Sequence, residues 1–248
     1  MIIQKSPAEL SLMREAGRIT ARALRLVGEN VRPGVTTGEL DEIAEAAIRE
    51  EGAEPAFLGY HGFPATICSS LNDQVVHGIP GKVRLREGDI LSVDIGAIHQ
   101  GYYGDSARTF AVGAVSELAT RLMDATRSSL EAGIAQCWPG RHLYDVSSAI
   151  QAVAEGAGFS VVREYVGHGI GRAMHEEPNV PNYGPAGKGP VLKDGMVFAI
   201  EPMVNAGDAS VHSLDDGWTV VTDDGSLSAH FEHTVAVTSA GPVILTAE

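Results

Sequence analysis

The sequence predicts an α+β fold in which two pseudo-symmetric halves share a sheet, and three observations predict it. Two helix pairs are each interrupted by Pro-Gly, at Pro33-Gly34 and at Pro139-Gly140, an offset of 106 residues. Two glycine-led apolar segments, "GDILSVD" from Gly88 to Asp94 and "GMVFAIE" from Gly195 to Glu201, both end in an acid and repeat at an offset of 107. The order of elements is also common to both halves: helix, break, helix, a His-Gly-Ile loop, acidic strand, acidic strand. A single matching pair arises easily by chance, but an ordered set does not.

Each element has a local cause. Ser6-Pro7-Ala8-Glu9 is a capping box with proline at the first helical position, and it opens a helix that runs to about Val31. After Pro33-Gly34, Thr36 and Glu39 form a second capping box, and Leu40, Ile43, Ala47 and Ile48 stripe a helix ending at Gly52. Ile90 to Ile98 is rich in β-branched residues, His99 to Gly101 supplies a turn, and Tyr102 to Val112 returns as a second strand. With the turn centred between His99 and Gln100, Asp94 and Asp105 are expected directly opposite on one face. Like charges so placed, with Cβ atoms about 4.5 to 5.5 Å apart, repel.

The second half repeats the plan. A helix spans about Ser116 to Ala135, another is striped by Leu143, Val146, Ile150 and Val153, and strands follow. "VGHGIGR" around His168 echoes "VVHGIPG" around His77, and the last strand carries Glu232 as the first half's last strand carries Asp105. "PNVPNYGPAGKGP", residues 178 to 190, reads as a surface loop. Nothing resembles a linker, so residues 1–248 are expected to form one domain, with halves of about 1–114 and 115–248.

Composition excludes several classes. A formal charge of −14 and the lack of a Lys/Arg cluster argue against a nucleic-acid surface. No run of eighteen apolar residues suggests a membrane span, and "MIIQKSPAEL" has no apolar signal core, so a cytoplasmic location is expected. Cys68 and Cys137 stand 69 residues apart and suggest neither a disulfide framework nor a zinc ribbon.

Joining the halves gathers Asp94, Asp105, Glu201 and Glu232 with His168. Taken singly, a strand acid usually faces solvent or pairs with an arginine. Four carboxylates together need countercharge, and two divalent cations supply it; mixed carboxylate and imidazole donors suit manganese, iron, cobalt or zinc better than calcium.

These residues lie in segments that carry a family resemblance from end to end: "ELSLMREAGRI", "GYHGFPATICSSLND", "VVHGIPG", "GDILSVDIGA", "GYYGDSARTF", "VGHGIGRAMHEEPNVPNY", "GMVFAIEPM" and "DDGWTVVTDDGSLSAHFEHTVAVT". The chain resembles the type I methionine aminopeptidases in their short bacterial form. The resemblance implies the duplicated "pita-bread" fold shared with creatinase and prolidase, with a mainly antiparallel central sheet flanked by helices. It implies five metal ligands: Asp105 and Glu232 bridging two ions, Asp94 on one, His168 and Glu201 on the other. It also implies hydrolysis of the first peptide bond of chains that begin with methionine and carry a small second residue. Glu201 would carry the proton, His77 would contact the scissile amide, and His175 would bond the tetrahedral intermediate.

By the same resemblance, Tyr60, Phe63, Cys68, Met174, Phe198 and Trp218 line the methionine pocket. Phe57, Phe63 and Met174 stand where many bacterial members carry Cys, Tyr and Phe, so pocket shape is expected to be particular to this chain. The implied partners are methionine-starting peptides and nascent chains, with a transient ribosome contact, and the implied state is a monomer. Two rivals share the fold: an Xaa-Pro dipeptidase, and a non-catalytic peptide-binding module.

Overall fold

The computed structural model describes residues 2–247. Helix α1 (Pro7–Asn30) starts at a complete Ser6/Glu9 capping box, and α2 (Thr37–Glu50) at a complete Thr36/Glu39 box. In the second half, α3 (Glu117–Ile134) is capped by the Ser116 hydroxyl and is followed by α4 (Leu143–Gly156). On α4 the buried stripe closes with Ala154, one residue beyond Val153.

The strands of the first half are β1 (Glu54–Pro55), β2 (Ile67–Leu71), β3 (Gln74–Val76), β4 (Ile90–His99) and β5 (Tyr102–Ala111). Those of the second are β6 (Ser160–Val161), β7 (Gly167–Gly169), β8 (Glu176–Val180), β9 (Val197–Ile200) and β10 (Met203–Asn205). They are followed by β11 (Val211–Ser213), β12 (Val220–Thr222), β13 (Ser228–His230), β14 (His233–Thr238) and β15 (Gly241–Ile244). Every strand pairing is antiparallel. Among the described residues no helix is long and apolar enough to cross a membrane.

The β4–β5 hairpin corrects the expected register. Gln100 and Gly101 adopt φ of 49° and 78°, so they are the two residues of a tight turn, and His99 pairs with Tyr102. Asp105 therefore lies across from Gly96, and Asp94 across from Ala107. The two acids still share a face, as diagonal neighbours instead of a directly opposed pair, which widens their backbone separation to about 7–8 Å. Gly96 is required there: a Cβ would lie 2.9 Å from the Ala56 Cβ and 3.0 Å from the Phe57 ring.

The shared sheet is also divided more finely than expected. β4 pairs with β1, β2 and β5, while the second half builds β15-β14-β9-β7-β8; two small three-stranded sheets, β13-β10-β6 and β11-β12-β3, lie beside them. At the seam the Glu232 amide donates to the Ala107 carbonyl at 2.8 Å, and the reverse bond is 3.4 Å. Side chains extend this pairing. The Thr234 hydroxyl donates to the Asp105 carbonyl (2.8 Å) and accepts from its amide (3.0 Å), and Thr109 does the same for His230 (2.9 Å each). Threonine hydroxyls thus satisfy buried peptide groups where the ladder stops, in keeping with the cost of leaving such groups unpaired.

In the stretch from 178 to 190, residues 178–180 belong to strand β8, which pairs with β7 and places His168 across from Asn179. Pro178 is tolerated because β8 is the outer strand of its sheet. One apolar core lies under α1 and α2 against β4, a second under α3 and α4 against β9 and β14.

Candidate metal centre and its cavity

The acids predicted from the repeat converge on one cavity of about 230 Å³, whose lining includes Asp94, Asp105, His168, Glu201 and Glu232. Strand alternation brings them there. Asp94 shares its face of β4 with Gly96 and so with Asp105, and Cys68 on β2 pairs with Asp94. Glu201 follows β9 directly and has the parity of Val197 and Ala199, the latter paired with His168.

Ligand atoms of Asp105, His168 and Glu232 all lie within 4.8 Å of one another, and all three residues are buried. Nε2 of His168 stands 3.7 Å from Asp105 Oδ2 and 3.6 Å from Glu201 Oε1. Its Nδ1 donates to the Gly169 carbonyl at 2.9 Å, which leaves Nε2 as a lone pair facing the carboxylates. Burial lowers the His168 pKa to about 4, so the ring is neutral near pH 7.

Sequence reading missed His230. It is 1 % exposed, its Nε2 lies 3.5 Å from Glu201 Oε2, and that nitrogen has no hydrogen-bond partner. Its one signal was position: it precedes Glu232 by two residues.

Three buried carboxylate oxygens, Asp94 Oδ1, Asp105 Oδ1 and Glu232 Oε1, likewise have no hydrogen-bond partner. Orphaned carboxyl oxygens in one buried cavity, beside an imidazole lone pair, are the donor set a divalent cation takes. The residues present fit such a group. Burial, with the Glu201 carboxylate adding to it, pushes Asp94 up to about 7 against the pull of His230. Burial pushes Glu201 up to about 8. Asp105 and Glu232 are raised well above the usual carboxylate range by burial and by the neighbouring acids.

In metal-free protein these acids tie stability to pH. A carboxyl whose folded pKa is raised holds its proton more tightly when folded. Its stabilising contribution is therefore complete below the unfolded value and is lost as pH climbs through the folded one. For Asp94 and Glu201 that window runs from ordinary values of 3.8 and 4.5 to about 7 and about 8. Chelator-treated protein is expected to melt at progressively lower temperature from about pH 5 to about pH 8, and restored divalent cation to remove most of that fall. A melting temperature that rises over this range in chelator would contradict the arrangement.

Beside the acids is an apolar recess. Phe57, Tyr60, Phe63, Cys68, Met174 and Trp218 all line the cavity, with Phe63 and Trp218 edge to face at 5.0 Å between ring centroids. Burial raises the Cys68 thiol well above its usual range, so it acts here as a small apolar wall. Phe57, expected to make the pocket shape particular, does border the cavity, and so does His61, which was not singled out in the sequence. Phe198 was, and it does not: it lies 1 % exposed in the core beneath α3 and α4. Successive residues of β9 point to opposite faces, and Phe198 and Ile200 take the helix side while Glu201 takes the other.

His77 sits at φ 60°, uncommon for a residue with a Cβ, with its ring edge-to-face on Trp218 and Tyr165. Burial lowers its pKa to about 4. His175 follows Met174 at the cavity, its ring centroid 4.3 Å from that of His168, and its Nδ1 lies 2.7 Å from the Tyr60 hydroxyl.

The profile of metallopeptidase family M24 matches residues 11–239. A methionine aminopeptidase of Clostridium perfringens is 54% identical over 246 residues, 99% of each chain. The crystal structure of a methionine aminopeptidase from Thermotoga maritima superposes with a TM-score of 0.99 at 48% identity over the whole of both chains. The prolidase of Pyrococcus furiosus, at 24% identity and a TM-score of 0.78, covers 99% of this chain and 66% of its own; it bears on the fold alone. The duplicated architecture is thus the pita-bread fold. A cavity of orphaned carboxylate oxygens fits a metal-dependent hydrolase, and with these likenesses along its full length the chain belongs to metallopeptidase family M24.

Proposed function

We propose that this enzyme removes the N-terminal methionine from peptides and nascent proteins, with preference for a small second residue. Asp94, Asp105, His168, Glu201 and Glu232 would hold two divalent cations, manganese, iron, cobalt or zinc, with Asp105 and Glu232 shared between them. When bound, such ions lower the pKa of coordinated water from 15.7 to about 7 and polarise the scissile carbonyl.

The chain's own groups do the rest. Glu201 lies in the cavity wall, its backbone carbonyl accepting from Asn182 at 3.0 Å and its carboxyl facing His168 and His230. It takes a proton from water and passes it to the leaving nitrogen. His77 orients the scissile amide, and His175 donates to the oxygen on which negative charge develops. The recess of Phe57, Phe63, Cys68, Met174 and Trp218 takes the methionine side chain, its polarizable walls matching a thioether.

One observation carries this reading: the orphaned carboxylates and the apolar recess border the same cavity, so a charged centre and a thioether-sized site lie side by side. In this reading residues 1–248 act as a single catalytic domain with halves 1–114 and 115–248, monomeric and cytoplasmic. They meet nascent chains with at most a transient ribosome contact. A net charge of −14 weighs against direct nucleic-acid binding.

The test is peptide selectivity. Metal-stripped protein restored with manganese is expected to release methionine from Met-Ala-Ser and to leave an Ala-Pro peptide intact. Preferential cleavage of Ala-Pro would instead make it an Xaa-Pro dipeptidase, and no turnover of either with any divalent ion would make it a binding module.

A further inference from the structure

The contact between Tyr60 and His175 gives Tyr60 a task beyond lining the recess. Its backbone is held in a tight turn. The Tyr60 amide donates to Phe57 (2.9 Å), its carbonyl accepts from Phe63 (2.9 Å), and the Gly59 amide donates to Phe63 (2.8 Å). Gly59, His61 and Gly62 all sit in the left-handed region, with φ of 83°, 48° and 89°. For His61 that conformation is a local cost, and such costs persist where the surroundings fix the backbone for a purpose.

The turn carries the Tyr60 hydroxyl to 2.7 Å from His175 Nδ1, and this is the only hydrogen bond the hydroxyl makes among the described residues. The phenol can donate to an unprotonated Nδ1 or accept from an Nδ1–H, so the tautomer of His175 and the direction of this bond are one question. The His168 ring also lies against His175, 4.3 Å between centroids, so the imidazole contacts both Tyr60 and a candidate ligand. His175 Nε2 has no hydrogen-bond partner among the described residues, and the residue borders the cavity.

In a neutral imidazole the bond made at one nitrogen decides which nitrogen keeps the proton. We propose that Tyr60 is a positioning residue that donates to His175 Nδ1 and so holds His175 as the Nε2–H tautomer, with its donor facing the cavity. The opposite tautomer would offer a lone pair, which cannot stabilise an oxygen gaining negative charge. The catalytic half of this inference rests on the peptidase reading; the tautomer half does not.

Nitrogen-15 spectra of the zinc-loaded protein, with the His175 signals assigned by their loss in His175→Gln, and methionine-release kinetics together test it. Wild-type His175 is expected to show an unprotonated, hydrogen-bonded Nδ1. In Tyr60→Phe, which keeps the ring, that resonance moves downfield toward a free ring nitrogen. The same variant is expected to lose about tenfold in kcat, with KM within about twofold, the size of one hydrogen bond made in the transition state. A wild-type Nδ1 that carries the proton, or the absence of either change in Tyr60→Phe, overturns the proposal. If the wild-type protein releases no methionine, the peptidase reading falls, and the nitrogen spectrum alone decides the role of Tyr60.

Discussion

Asp105→Ala is expected to lose bound metal and peptidase activity together. Asp105 is 4 % exposed, its Oδ1 has no hydrogen-bond partner, and its Oδ2 faces the His168 lone pair at 3.7 Å. In the proposed site Asp105 would serve both ions, and its removal would leave Glu232 as the one ligand common to them. Even residues that only orient ligands cost about 10–100-fold in metal affinity or activity when replaced, so a shared ligand should cost at least the upper end of that range.

The backbone offers no reason for misfolding. Thr234 bonds both the amide and the carbonyl of residue 105, and neither bond involves the deleted side chain. In chelator, wild type and variant should both unfold cooperatively, with the variant melting no lower, because the substitution removes one member of a mutually repelling buried set. Elemental analysis is the check: a variant that keeps its full complement of metal would refute the shared-ligand role.

Glu201→Gln is expected to leave the fold standing and to lower kcat by roughly 10²–10⁴-fold, the usual worth of a positioned proton carrier. Glutamine keeps the shape of the side chain and one carbonyl oxygen, and the Asn182 bond is to the backbone of residue 201, so position is retained. What is lost is a group that exchanges protons. The loss should fall on kcat rather than KM, since the proton moves in the transition state. A variant with near-normal turnover at saturating metal would remove Glu201 from the proton path.

The two substitutions separate two duties inside one cavity. Asp105→Ala fails in metal content, whereas Glu201→Gln fails in turnover even when metal is supplied in excess. Raising the metal concentration should therefore distinguish them without further variants.

Much of this site was readable from residue order. Asp94 and Glu201 each end a glycine-led apolar run, and an acid in that position twice over, 107 residues apart, is a local pattern. The capping boxes at Ser6 and Thr36 were likewise written in four consecutive residues, and both helices begin where their caps require. His230, Phe198 and the hairpin register were not readable in this way. His230 is brought against Glu201 through a seam with Thr109, 121 positions away in the chain. Phe198 lies under helices because of the strand face it occupies. The register turned on which two residues take positive φ, and His99-Gln100-Gly101 admits more than one choice.

By itself the sequence determined the four main helices, the duplicated order of elements and the five metal-binding candidates, because caps, breakers and hydrophobic periods act over a few neighbouring residues. Tertiary structure alone decided how close the acids stand, which aromatic rings face the recess, and that Tyr60 reaches His175. These depend on strand pairings, one across the β4–β5 turn and others between segments more than a hundred residues apart, where a single step in register reverses the face on which every side chain stands.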